Sequence, residues 1–214
     1  MTSLLTRPLL ALLATALLAQ GCSSNSDPST ITDPNASATS TVPLVTLPPD
    51  ALLEQVPRPD EVPVGMVPIL KGSGSRTITV VAGYSGTGAA AKTAEARLRA
   101  HHFVGAYVAQ FANPATNQVL SIVVSRFTTG AFAAADFSDD LKGSQGKTVA
   151  VPQLGEQSAV TTQSLTGKPV QDLVLVRFRR GTLTWSLAYK AAAPADPEVA
   201  VGLATRLLAR APAA

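Results

Sequence analysis

An α+β domain is predicted, with an antiparallel-rich sheet, two or three helices on one face and repeated strand-helix units. Three observations predict it. Residues 172–189 alternate apolar and small polar positions on either side of Arg179-Arg180-Gly181, as a β-hairpin does. Residues 103–127 do the same around the turn NPATNQ. Alanine- and leucine-rich segments with helical spacing follow small-residue turns, and hairpins mixed with strand-helix units place helices against an antiparallel sheet.

The chain of 214 residues opens MTSLLTR and continues PLLALLATALLAQ, a positive start followed by an apolar run, the plan of a secretory signal peptide over residues 1–21. That run falls short of the roughly 20 residues a spanning helix needs. Cys22, the single cysteine, directly follows Ala19-Gln20-Gly21, which resembles a bacterial lipobox although Leu18 stands four places before the cysteine instead of three. Cys22 is therefore the expected lipidation site, with the mature chain anchored in a membrane by N-terminal acyl chains. With one cysteine there is no disulfide framework, so stability rests on a packed core. The formal charge of +3 falls to about +2 without Arg7, a balance that argues against a nucleic-acid partner.

Residues 22–59 read as tether and lead-in. Ser, Thr, Pro, Asp and Asn dominate as far as residue 48, a composition too polar to offset its own ordering entropy. Its Ser/Thr clusters suit O-linked sugar or plain linker, and Asn35-Ala36-Ser37 fits the N-glycosylation pattern. A short helical turn is expected over residues 50–55, between prolines. The globular domain is then expected over residues 60–214.

Within it, TITVVAGY (77–84) reads as a buried strand and AAAKTAEARLRAHH as a helix with Ala91, Ala94 and Leu98 on one face. Phe103, Gly105, Tyr107, Ala109 and Phe111 share one side of the next strand, and residues 119–127 return antiparallel to it. Phe132, Ala133, Phe137 and Leu141 then mark a helix lying on the sheet. Residues 149–167 suggest one or two short strands. In the last hairpin Leu183, Trp185, Leu187 and Tyr189 form an apolar face, while Thr182, Thr184, Ser186 and Ala188 form a small, polar one. Asp196-Pro197-Glu198 supplies cap, N1 proline and first-turn acid for a final helix with Val199, Leu203 and Leu207 on one stripe. At an offset of 43 residues Val80, Val81 and Tyr84 match Val123, Val124 and Phe127, which suggests two related strand-to-helix corners.

The corner Gly83-Tyr84-Ser85-Gly86-Thr87-Gly88 departs from a phosphate loop, because Ala89 stands where the lysine belongs and Lys92 and Thr93 lie a turn further on. Its glycines also miss the dinucleotide fingerprint. His101 and His102 are adjacent, so their side chains diverge, and a helix-terminal role fits better than a shared metal. Asp139, Asp140, Asp60 and Glu61 read as solvated or capping acids without the paired geometry of glycoside chemistry. No GxSxG elbow is present. No catalytic, cofactor-binding or metal residue is assigned. Arg177, Arg179 and Arg180, with Arg126 on another strand, form a basic cluster, either a soluble turn or a contact for anionic glycan, lipid headgroup or protein. Trp185 belongs to the core.

"PDEVPVGM", "HHFVGAYVAQF", "SRFTTGAFAAADF", "VPQLGEQS" and "VRFRRGTLTWSLAY" together resemble uncharacterised secreted lipoproteins of high-GC bacteria, especially actinobacteria. The resemblance spans most of residues 57–208 and implies a lipid-anchored protein on the extracytoplasmic face of the cell membrane, with no cofactor and no activity to carry over. The expected role is a non-enzymatic module binding an envelope ligand or partner through the sheet's open face or a sheet-helix cleft. The alternatives are an extracytoplasmic hydrolase with a dispersed site and a purely structural envelope protein.

Overall fold

A computed structural model describes residues 52–212. Eight strands form one open antiparallel sheet: β1 (Val67–Pro68), β2 (Gly74–Arg76), β3 (Phe103–Asn113), β4 (Gln118–Phe127), β5 (Lys147–Thr148), β6 (Gln157–Leu165), β7 (Gln171–Arg180) and β8 (Leu183–Ala192). Their order is β1-β3-β4-β8-β7-β6-β5, with β2 also paired to β3. The helices are α1 (Ile78–Gly83), α2 (Ala89–Ala100), α3 (Gly130–Lys142) and α4 (Pro197–Arg210). The α+β class is as the hairpins foretell, and both hairpins are present in register.

Alternation along the strands divides the sheet into two unlike faces. On the first, Phe111, Leu120, Ile122, Val124, Val176, Phe178, Trp185 and Leu187 meet Leu203 and Leu207 of α4. Asp196 caps that helix, accepting from the Glu198 backbone N–H at 2.9 Å, and Pro197 starts it. Leu203 and Leu207 are 1% and 0% exposed, and burial of each contributes roughly 1.5–3 kcal/mol. Leu52 and Val56 of the lead-in, with Val62 and Met66 just after it, complete this core. That segment is fastened by Trp185, whose Nε1 donates to the Gln55 carbonyl at 3.0 Å, and by Arg210, which pairs with Glu61. Trp185 also stacks on Phe178 with ring centroids 4.8 Å apart, so it is a core residue as expected.

The opposite face carries α1, α2 and α3 over a smaller core of Ala82, Ala94, Leu98, Phe103, Ala106, Phe127 and Ala133. Three helices thus share one face, and the other is covered by α4 and the lead-in instead of lying open.

Two local expectations are corrected. Residues 77–84 are not a strand, because Ile78–Gly83 is helical. Ile78, Val81 and Ala82, at i, i+3 and i+4, pack into the smaller core, while Thr79 and Val80 face water. The β-branched run has strand propensity, but a helical face buries its apolar groups and packs against α2. The two corners are therefore not equivalent: one is helix-turn-helix and the other strand-turn-helix. Gly86 (φ +133°) and Gly88 (φ +60°) serve the first turn by adopting backbone angles closed to most side chains. Phe103, in turn, does not share a face with Tyr107, Ala109 and Phe111. A register shift between Phe103 and Gly105 moves it to the opposite core, edge-on to Phe127.

Candidate functional site

The last strand's small polar face leaves space above it. In register, Val123 and Ser125 of β4 lie opposite Ser186 and Thr184 of β8, and Ser186 and Thr184 in turn oppose Arg177 and Arg179 of β7. Short side chains keep this floor low while α3 and the α1–α2 pair stand over it. The result is a cleft of about 610 Å³ between sheet and helices, inside the range of roughly 300–1,000 Å³ of small-molecule sites. Ser125, Thr184 and Ser186 face it from the floor; Val81, Tyr84, Ser85, Arg97 and Leu98 line one side, and Asp136, Phe137 and Asp140 the other.

An ion-pair network ties the walls together. Arg97 Nε lies 3.1 Å from Asp136 Oδ1, and its Nη2 lies 3.8 Å from Asp140 Oδ1. Arg177 Nε reaches Asp140 Oδ2 at 2.9 Å, and its Nη1 donates to the Ser144 hydroxyl. The contacts are electrostatic, because Asp136 Oδ1 and the Nε atoms of both arginines are buried without an aligned hydrogen bond. Asp136 is only 7% exposed. Its burial raises the carboxyl pKa above the ordinary aspartate value, against the pull of Arg97. Asp139, on the outer side, is held below that value by hydrogen bonds from Lys142 (2.6 Å) and His101 (3.0 Å).

Asp139 and Asp140 are partly solvated, as expected, and are also members of this network. Arg97 of α2 and His101 at its C-cap, four residues on, meet acids at 136, 139 and 140 on α3, a clasp across the cleft's end. Asp136 escaped the sequence reading; the signal for it was its spacing from Asp139 and Asp140. His102, with φ +49°, turns away and packs its ring on Phe132 at 4.3 Å, so the two histidines do not converge. Among the described residues no group of three metal-ligating side chains occurs. His101 and Asp139 form a pair, yet no hydroxyl among the described residues hydrogen-bonds the imidazole to complete a nucleophilic triad.

The arginines expected to form one surface cluster are separated. Arg177 enters the cleft. Arg179, on the same face, pairs with Glu156 and Gln157. Arg180 points to the opposite face and donates to the Leu208 carbonyl at 3.3 Å. Arg179 and Arg180 lie within β7, and Gly181-Thr182 makes the turn. Glu61 is likewise engaged: although burial opposes it, hydrogen bonds from the Arg58 N–H and from Arg210 bring its pKa below the ordinary glutamate value. Cys22 and Asn35 lie outside the described residues.

Fold and site together define an open antiparallel α+β domain with helices on both faces and a cleft of mixed polar and apolar lining under three of them. The chain is similar in fold to the extracellular domain of PknH from Mycobacterium tuberculosis, with 10% identity, 78% of this chain and 98% of that chain covered, and a TM-score of 0.56. No family model matches the sequence, and no curated protein matches it. No helix among the described residues is long and apolar enough to cross a membrane.

Proposed function

We propose that this chain is a non-enzymatic binding module of the cell envelope, anchored on the extracytoplasmic face of a membrane by acyl chains at Cys22, and that it holds a small ligand in the cleft over β4 and β8. The observation that carries the reading is the cleft itself: a partly enclosed space whose walls hold a buried carboxylate and two guanidinium groups in an ion-pair network. Charged groups gathered around a cleft of this size are more usual in binding sites than in cores. The signal-peptide plan, the Ser/Thr/Pro tether, the resemblance to actinobacterial lipoproteins and the fold shared with an extracellular domain support the address.

Native mass spectrometry of the protein purified from its own host tests this. A bound small molecule is expected on the wild type and its loss from Ser186→Phe, which fills the floor. A mature mass beginning at Cys22 with acyl chains is expected in the same spectrum. A bare monomer, an unmodified terminus elsewhere, or turnover of generic esters abolished by one cleft substitution would contradict the proposal.

A further inference from the structure

The hydroxyl groups of the floor distinguish this cleft from a site for an ion. Ser125 and Thr184 are register partners on adjacent strands, and Ser186 lies two residues along β8 on the same face. Directly opposed residues have Cβ atoms about 4.5–5.5 Å apart, so these three hydroxyls form a compact patch. None of the three makes a side-chain hydrogen bond within the protein, although Ser125 is only 8% exposed. Ser144, also in the lining, is by contrast engaged by Arg177.

The charged walls add a second constraint. Arg97, Arg177 and Lys142 face Asp136, Asp139 and Asp140, three cations against three anions, and every one belongs to an ion pair. An anionic ligand would have to take an arginine from its carboxylate, and a cationic ligand a carboxylate from its arginine. Either exchange leaves a partly buried charge uncompensated, which is strongly unfavourable. An apolar ligand would strand the floor hydroxyls. A neutral ligand rich in hydroxyls avoids both penalties, because each hydroxyl donates once and accepts twice. It meets floor hydroxyls, guanidinium donors and carboxylate acceptors while the ion pairs stay intact. Tyr84 and Phe137, also in the lining, offer apolar surface to the C–H faces of such a molecule.

We infer that the cleft takes a neutral, polyhydroxylated ligand, a short saccharide or polyol, with Ser125, Thr184 and Ser186 as its floor contacts. This rests on the binding reading given above. The test uses isotopically labelled protein titrated with glucose, sucrose and maltotriose, and in parallel with inorganic phosphate, spermidine and cyclohexane, while backbone amide resonances are followed. Saturable shifts at Ser125, Thr184 and Ser186 are expected with at least one saccharide, and smaller or no shifts there with the other probes. Thr184→Val and Ser186→Ala, each keeping the strand and nearly the same shape, should each weaken saccharide binding about five- to tenfold. Phosphate, spermidine or cyclohexane saturating those amides while the saccharides do not would overturn the ligand class and leave the binding cleft standing. Cleft amides unmoved by every probe would overturn both.

Discussion

Asp136 and Asp139 stand one turn apart on α3, and their carboxyl groups are displaced in opposite directions, the first upward by burial and the second downward by Lys142 and His101. The difference is one of surroundings, since the residue type is the same. A raised carboxyl favours the folded state at acid pH and loses that contribution as pH rises through its folded value. Glu61 has the opposite sign. Its pKa is lowered in the folded protein, so its contribution is present above the ordinary glutamate value and disappears as pH falls through the folded one. Glu61→Gln should therefore lower stability by about 1–2 kcal/mol at pH 7 in denaturant unfolding, and the deficit should shrink toward zero as pH falls through the lowered folded value. A deficit independent of pH would show that packing, not the Arg210 pair, holds this segment. At this scale the sequence was legible where a residue acts locally, as with the Asp196 cap. It was silent where a partner comes from afar: nothing near Glu61 points to Arg210, and nothing near Asp136 points to Arg97.

The elements that declared themselves are those whose pattern runs through several periods. Residues Leu183–Ala192 alternate over ten positions, and the buried positions of α4 recur over fourteen, so strand and helix were distinct. The six residues of α1 hold too few periods to separate Ile78, Val81 and Ala82 on a helix face from a buried strand, and packing against α2 decides the matter. Thr79 is exposed on this helix. Thr79→Ala should accordingly stabilise the protein by about 0.3–0.7 kcal/mol, the difference in helix propensity. A loss of similar size in thermal or denaturant unfolding would restore the strand reading. The bulge before Gly105 was hidden for another reason: alternation predicts faces only while register is unbroken, and one extra residue sent Phe103 to the other core.

The molecule as a whole is organised by the pairing of β4 with β8, strands separated in sequence by α3 and the three strands that follow it. That pairing joins Val123 and Ser125 of β4 with Thr184 and Ser186 of β8 into one floor and sets α3 above it. The sequence revealed that β8 has a small polar face but not what stands opposite, since strand order leaves no local trace. The unequal cores complete the design. Large residues of both hairpins, α4 and the lead-in fill one side of the sheet, whereas the side bearing the cleft is packed chiefly by alanine and phenylalanine. The most direct measurement of the central claim is a crystal structure of the protein purified from its own host. It should show a bound molecule between Ser125, Thr184 and Ser186 on the floor and Arg97, Asp136 and Asp140 above. A cleft closed by α3 packing directly onto Ser186, or a ligand seated on another surface, would contradict it.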